Sequence, residues 1–131
     1  MGAVTSRFDL VGHALILGTI GFTVYGQLIL KQQMSGLPPL PSGAAMFPEL
    51  LKLILTRPLI FSGLASAFIA SLFWMGAIQR FPLSYAYPFM SLTYVLVFGL
   101  AFFLFGDAMN PAKIFGLAMI CGGVALIARG G

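Results

Sequence analysis

Charged residues are scarce in this sequence, and their scarcity decides its class. Only 8% of the residues are charged, whereas 60% are hydrophobic, and the mean hydropathy is +1.02. Soluble domains carry about 25% charged residues, so a water-soluble fold is excluded and the chain is a membrane protein. Because one membrane-spanning helix needs about 20 apolar residues, the 131 residues allow four spans and leave no room for a soluble domain.

Acidic and reactive side chains are scarcer still. The three acids are Asp9, Glu49 and Asp107, and all are expected in turns or at helix ends, so no carboxylate is expected at membrane depth. The single Cys121 cannot form an internal disulfide, and the single His13 is interpreted as a membrane-edge residue. No nucleophile is paired with a base, and no cluster of metal ligands is present. We therefore expect neither an enzyme nor a metal or cofactor site.

Basic residues outnumber acidic ones and give a net charge of +4, yet they are dispersed along the chain. They flank apolar runs, as residues that anchor helices at the membrane edge do. They form no patch of the kind that binds nucleic acid. The membrane itself is thus an expected partner, and nucleic acid is not.

Apolar runs separated by helix breakers predict four spans, at about 10–34, 58–79, 83–105 and 111–128. Pro48 and Glu49 suit a helix start, but one helix over 48–79 would measure about 48 Å against a hydrocarbon core of about 30 Å. We therefore predict a separate amphipathic surface helix at about 48–56, with one tilted span kinked at Pro58 as the alternative. The expected fold is all-α, with the whole chain forming a single four-helix transmembrane domain.

Polar side chains recur every four residues along the first span, at Thr19, Thr23, Gln27 and Lys31. Four residues advance a helix by about 400°, so these side chains share one face. One interpretation is hydrogen bonding between helices, with Lys31 snorkelling to the membrane edge. The other is the wall of a binding site, which the length of the face, its terminal cation and the cost of exposing Gln27 to lipid favour.

The third span begins with polar residues around a helix-breaking proline, Pro88. Ser84, Tyr87, Ser91 and Tyr94 fall on one helical face, and polar groups persist at membrane depth only beside protein or water. Because Pro88 has no amide hydrogen, the carbonyl of Ser84 is expected to be free for a ligand or a side chain. The alternative is a kinked structural helix whose tyrosines bond to neighbouring helices.

We predict that these two polar faces are the two halves of one substrate site. The site would offer hydroxyls, one amide, tyrosines and a single cation, which suits a neutral or anionic head group and above all a phosphate. Trp74, near the end of the second span, is interpreted as an interfacial anchor in preference to a substrate platform.

The fourth span is predicted to be a packing helix. Ala118, Gly122 and Ala125 share a face, and small residues at this spacing let two helices touch. Four spans are few to enclose a pathway, so we predict a dimer joined at this face, with an identical or a paralogous subunit.

Four segments resemble the four-span branch of the drug/metabolite transporter superfamily. They are Gly26-Gln27 with Lys31-Gln32, the stretch Phe81–Ser91, the turn Phe105–Asp107 and the glycine-rich Gly116–Val124. The resemblance covers nearly the whole chain except the loop at 35–57. It implies a bundle like that of the small multidrug resistance proteins.

Within that branch, small multidrug resistance exporters keep a proton-exchanging glutamate in the first helix. Aligning Gly26 and Lys31 with their pattern places Thr23 at that position. The paired subunits that flip undecaprenyl-phosphate-linked aminoarabinose across the bacterial inner membrane also lack the acid, and the sequence is more similar to them in its Gly-Gln-x-x-x-Lys-Gln and Ala-Tyr-Pro-x-x-Ser-Leu patterns. This resemblance implies translocation of a polyprenyl-phosphate-linked sugar or a similar amphipathic lipid.

On this hypothesis the phosphate meets Lys31, and the lipid tail stays in the bilayer. The sugar passes along the polar faces of both halves, at Thr19, Thr23, Gln27, Tyr87 and Ser91. Two alternatives stay open: an exporter of small polar or cationic compounds, and a non-transporting accessory subunit of a membrane glycosyltransferase.

Overall fold

The computed structural model describes residues 10–130, and within that range the chain is all-α. Asp9 lies outside the described residues. A short 3₁₀ turn at Gly43–Ala45 precedes the second helix. The helices are α1 (Leu10–Ser35), α2 (Met46–Thr56), α3 (Pro58–Arg80), α4 (Leu83–Phe89), α5 (Leu92–Phe105) and α6 (Pro111–Gly130).

Four stretches of the described chain are long and apolar enough to cross a membrane. They are α1, α3, α4 taken together with α5, and α6. The predicted all-α fold with four spans is therefore confirmed, and the chain is a multi-pass membrane protein. Since successive spans run in opposite directions, the end of α1 and the end of α5 lie on the same side of the membrane.

Helices α1 and α3 form the most extensive helix pair in the described chain. Their backbones meet at two buried glycines: a Cβ on Gly26 would lie 2.9 Å from the carbonyl oxygen of Gly63, and one on Gly63 would lie 2.6 Å from Cγ2 of Ile29. The Ser66 hydroxyl donates across the pair to the carbonyl of Phe22 at 2.6 Å. Close backbone approach and interhelical hydrogen bonds are what hold helices together in lipid.

An aromatic cluster ties the start of α1 to α4. His13 Nε2 lies 3.0 Å from the Tyr85 hydroxyl, and the His13 ring is 4.9 Å from that of Phe81 and 6.3 Å from that of Phe89. Phe81 and Tyr85 are only 3% and 9% exposed. The interpretation of His13 as a membrane-edge residue missed this packing role, which joins residues 72 positions apart.

Helices α2 and α3 are separate, in the arrangement that helix length predicted. Arg57 between them has extended backbone angles (φ −116°, ψ 108°), and Pro58 begins α3, where its missing amide costs nothing. The exposed Phe47, Leu51 and Leu55 of α2 follow one another at four-residue spacing and so share one face. An apolar face on a short helix is typical of helices that lie in the membrane interface.

The third span was predicted as one helix, and the structure divides it in two. The amides of Met90 and Ser91 donate to the carbonyls of Tyr87 and Pro88, three residues back, at 2.8 and 2.9 Å. Pro88 supplies no amide to the carbonyl of Ser84, and two to three residues later the chain tightens into a turn before α5 begins. The break in the span thus directly follows the proline.

Helix α6 packs against α4 and α5, and Val124 is its buried side chain. The predicted dimer face, Ala118, Gly122 and Ala125, is exposed in the single chain. A Cβ on Gly122 would have no neighbour within 4 Å. This face is free to receive a second subunit, and the interface stays a prediction.

The glycine contact of α1 with α3 can be tested by adding one methyl group. Gly26→Ala is expected to cost about 1–3 kcal/mol, because overpacking strains a close contact and the neighbouring backbone oxygen cannot rotate away. Gly21→Ala on the same helix is the control, since its Cβ meets nothing within 4 Å. Thermal unfolding in detergent measures both, and equal melting temperatures would contradict the close contact.

Candidate functional site

A groove of about 800 Å³ runs between α1, α3 and the third span. Helix α1 contributes three polar residues, α3 contributes four residues and the third span contributes eight, while Leu117 of α6 and Asp107 complete the wall. Within residues 10–130, no group of three or more His, Cys, Asp or Glu side chains comes together. The chemistry of the groove therefore depends on hydroxyls, one amide, aromatic rings and one carboxylate.

The groove brings together residues from both predicted halves of the site. Six of the eight predicted substrate-binding residues line it: Thr19, Thr23, Gln27, Tyr87, Ser91 and Tyr94. The other two, Lys31 and Ser84, are exposed and do not line it. Lys31 lies one helical turn beyond Gln27, so its predicted contact with a phosphate would be made outside the groove. The roles assigned to all eight residues stay predictions.

One side of the groove is buried within the protein, and the other side is open. Thr19 is 3% exposed, and its hydroxyl donates to the carbonyl of Leu15 at 2.8 Å, which leaves its oxygen able to accept. Tyr87 and Tyr94 are 63% and 65% exposed. The tyrosine side of the groove therefore opens to whatever surrounds the single chain, which is lipid or another subunit.

Trp74 belongs to the groove wall, a position that the interpretation as an interfacial anchor missed. Its ring lies 5.9 Å from that of Tyr87 at 64°, an edge-to-face contact of the favourable kind. The sequence of α3 contained an indication of this position, because one helical face combines Ala67, Ala70, Ser71 and Trp74. All four line the groove.

Asp107 is the second residue that sequence reasoning missed. Gly106 ends α5 with a left-handed backbone (φ 70°), and the Asp107 amide then donates back to the carbonyl of Ala101 at 3.4 Å, which resembles a glycine-dependent helix cap. Among the described residues that line the groove, Asp107 alone is charged. The groove thus differs in charge from the predicted site, because it contains an acid and not Lys31.

The groove extends along much of the thickness of a bilayer. Its wall follows the third span from Tyr87 to Ala101, and about 14 residues of helix rise about 20 Å. The hydrocarbon core of a membrane is about 30 Å thick. The groove therefore follows about two-thirds of the barrier that a polar group must cross.

A second concavity of about 580 Å³ lies between α1 and α3 on the opposite face of the pair. Its walls are mostly apolar and include Gly18, Gly21 and Ile69. At its edge the hydroxyls of Tyr25 and Ser62 lie 2.9 Å apart and bond to each other. It contains none of the predicted site residues, so the polar groove is the candidate site.

Comparison with known proteins now places the chain in a family. The model of the EamA-like transporter family matches residues 2–129. The chain belongs to the EamA-like transporter family. The resemblance to four-span drug/metabolite transporters that the sequence predicted is thereby confirmed.

Curated relatives of this EamA-like protein share most of its length. Proteins of Erwinia tasmaniensis (33% identical over 119 residues, 89% of this chain and 94% of the relative) and Sodalis glossinidius (36% over 121 residues, 89% and 90%) are both named "probable 4-amino-4-deoxy-L-arabinose-phosphoundecaprenol flippase subunit ArnF". A protein of Pseudomonas fluorescens, 31% identical over 115 residues (88% and 95%), has the same name with subunit ArnE. No solved structure matches the chain.

Cysteine labelling can test whether this EamA-like protein holds water in its groove. In a Cys121→Ala background, Gln27→Cys and Ser91→Cys are expected to react with a water-soluble maleimide, because a thiol ionises where water reaches it. Leu17→Cys and Phe103→Cys are the controls. Both positions are more than half exposed in the single chain but would face lipid, so they should react slowly. Equal labelling at all four positions would show that the groove is not an aqueous path.

Proposed function

We propose that this protein translocates a polyprenyl-phosphate-linked sugar, or a similar amphipathic lipid, across the bacterial inner membrane. The observation that supports this function is the polar groove, which extends along much of the hydrocarbon core and is open along one side. A polar head group can follow the groove while its hydrocarbon tail leaves through the open side and remains in the bilayer. The role is transport, without a chemical step on the substrate.

The groove lowers the barrier by replacing water around the head group. A hydroxyl or amide that enters hydrocarbon without a hydrogen-bond partner costs several kcal/mol, and a sugar phosphate has many such groups. Thr23 and Ser91 present hydroxyls and Gln27 presents an amide, which together can donate and accept. The exposed Tyr87 and Tyr94 add amphipathic rings whose hydroxyls can bond to sugar.

The names of the relatives support the class of substrate. They are named as flippase subunits for 4-amino-4-deoxy-L-arabinose-phosphoundecaprenol, a lipid with a sugar, a phosphate and a long polyprenyl chain. The two relatives named ArnF match along about nine-tenths of both sequences. A lipid of the same chemical class is therefore the proposed substrate here.

We propose further that two subunits form the working transporter. The tyrosine side of the groove is open in the single chain, and the small-residue face of α6, at Ala118, Gly122 and Ala125, is exposed. Relatives have two different subunit names, ArnE and ArnF, which supports a paralogous partner over an identical one. Purification of the protein with and without a co-expressed paralogue distinguishes the two.

A second candidate function, export of a small cationic compound, has one observation in its favour. The charged residue of the groove wall is the acid Asp107, and aromatic rings lie along the same path. Carboxylates and aromatic faces both attract cations. Release of a bound quaternary-ammonium dye on acidification, with no movement of lipid-linked sugar, would favour this function.

Transport by reconstituted vesicles tests the proposed function and the groove together. Gln27→Leu removes a hydrogen-bonding amide from the wall and is expected to slow flipping about two- to tenfold, the equivalent of about 0.5–1.5 kcal/mol for one hydrogen bond. Gln32→Leu is the matched control, because Gln32 is exposed outside the groove. It should leave the rate unchanged.

Lys31→Ala is assayed in the same vesicles. This variant tests whether a cation outside the groove assists the phosphate of the substrate. We expect it to flip the substrate more slowly. Because salt screens exposed charges, added salt should slow flipping by the unmodified protein in the same way. Undiminished flipping by both Gln27→Leu and Lys31→Ala would overturn the assignment of the site.

A further inference from the structure

Helix α2 joins the ends of two membrane spans on one side of the bilayer. The first span ends at Ser35, and the second begins at Pro58. Helix α2 packs against α3, so a protein contact holds it beside the point where α3 enters the membrane. The surface of the bilayer is therefore next to the part of α2 that the protein leaves uncovered.

The protein covers only one of the two apolar faces of α2. The covered face consists of four half-buried side chains, Met46, Leu50, Leu53 and Ile54. The other, named here the outer face, consists of Phe47, Leu51 and Leu55, which are 68%, 57% and 73% exposed. Residues three and four apart are neighbours on a helix, so each set lies on one side. Because exposing large apolar side chains to water is unfavourable, the outer face requires an apolar covering.

The two charged side chains of α2, Glu49 and Lys52, lie on different sides of the helix. At 3.6 residues per turn, Lys52 is about 60° from Leu55 of the outer face, whereas Glu49 is about 120° from Leu55. Glu49 is about 40° from the half-buried Leu53. The outer face therefore has a cation along its border, and the acid points away from it.

Arg57 adds a second cation two residues after Leu55. Both Lys52 and Arg57 are exposed, and no ion pair with another residue of the range 10–130 is described for either side chain. A Lys or Arg beside an anionic membrane strengthens binding about fivefold, because the head groups carry negative charge. Anionic lipids would thus cover the apolar side chains and supply a counter-charge for both cations.

We propose that the outer face of α2, together with Lys52 and Arg57, is a docking surface for anionic phospholipids. Its apolar side chains enter the boundary between head groups and acyl chains, and its two cations contact head-group phosphates. No residue of α2 lines the polar groove. This surface is therefore separate from the candidate site, and the inference does not depend on the transported substrate.

Fluorescence quenching by brominated lipids tests the proposal in reconstituted vesicles. The sequence has one tryptophan, so Trp74→Phe combined with Leu55→Trp gives a protein with a single reporter on the outer face. Vesicles mix phosphatidylglycerol and phosphatidylcholine, and bromine is placed on the acyl chains of one lipid or of the other. The ratio of the two quenching efficiencies measures the lipid composition beside the reporter. Phosphatidylglycerol is expected to be enriched about two- to fivefold, the effect of one or two basic residues.

Two matched charge variants are made in the reporter protein. Lys52→Gln removes the cation that borders the outer face and should reduce the enrichment by about half or more, because only Arg57 is left. Glu49→Gln removes a charge from the other side of the helix and should not reduce the enrichment. Added salt should reduce it in the unmodified reporter, since salt screens exposed charges.

A second reporter on the same face, Phe47→Trp, guards against a local disturbance at position 55. Equal quenching by both lipids at both reporters would overturn the preference for anionic lipids. Absence of quenching by either lipid would show that protein, such as a second subunit, covers the outer face, and would overturn lipid docking altogether. An equal loss of enrichment in Lys52→Gln and Glu49→Gln would overturn the role of Lys52. None of these readouts requires transport, so they stand whether or not the proposed function is correct.

Discussion

The contact of α1 with α3 through two glycines is the constraint on which the site depends. Lipid tails are as apolar as the side chains they surround, so helices in a membrane gain little from the hydrophobic effect and associate by close packing and hydrogen bonds. Gly26 and Gly63 let the two backbones touch. That contact determines the rotation of each helix about its own axis. The polar side chains of α1 then lie beside Ser71 and Trp74 of α3, along one face of the pair.

The break that follows Pro88 in the third span shapes the other side of the groove. A regular helix would present Tyr87, Ser91 and Tyr94 at intervals set by 3.6 residues per turn. The structure instead places a tight turn among them, where amides bond to carbonyls three residues back. Exposed backbone groups at such a break are tolerated in a membrane only beside protein or water. The polar groove provides such surroundings for the backbone groups at the break.

The parts of this structure that follow from local rules were predictable, and those that follow from contacts between distant residues were not. Hydropathy and helix length predicted the four spans and the separate α2, and four-residue spacing placed Thr19, Thr23 and Gln27 on one face. The same four-residue spacing placed Lys31 on that face as well. Helical periodicity shows which residues share a face, but it cannot show where a groove ends. His13 and Trp74 were assigned to the membrane edge. Their partners, Tyr85 and Tyr87, come from another helix, so the sequence around each residue does not show these contacts. Asp107 was assigned to a turn, correctly, but only the folding of α5 against its neighbours brings that turn to the groove.

The placement of charge makes the two ends of the groove different. The ends of α1 and α5 lie on the same side of the bilayer, so Lys31 and Asp107 are both near that side, with the cation outside the groove and the acid within its wall. A neutral sugar phosphate would be attracted to Lys31 and repelled by Asp107. On the proposed function, an acid in the wall is therefore an obstacle to simple anions, and the position of charge along the groove affects which head groups can follow it.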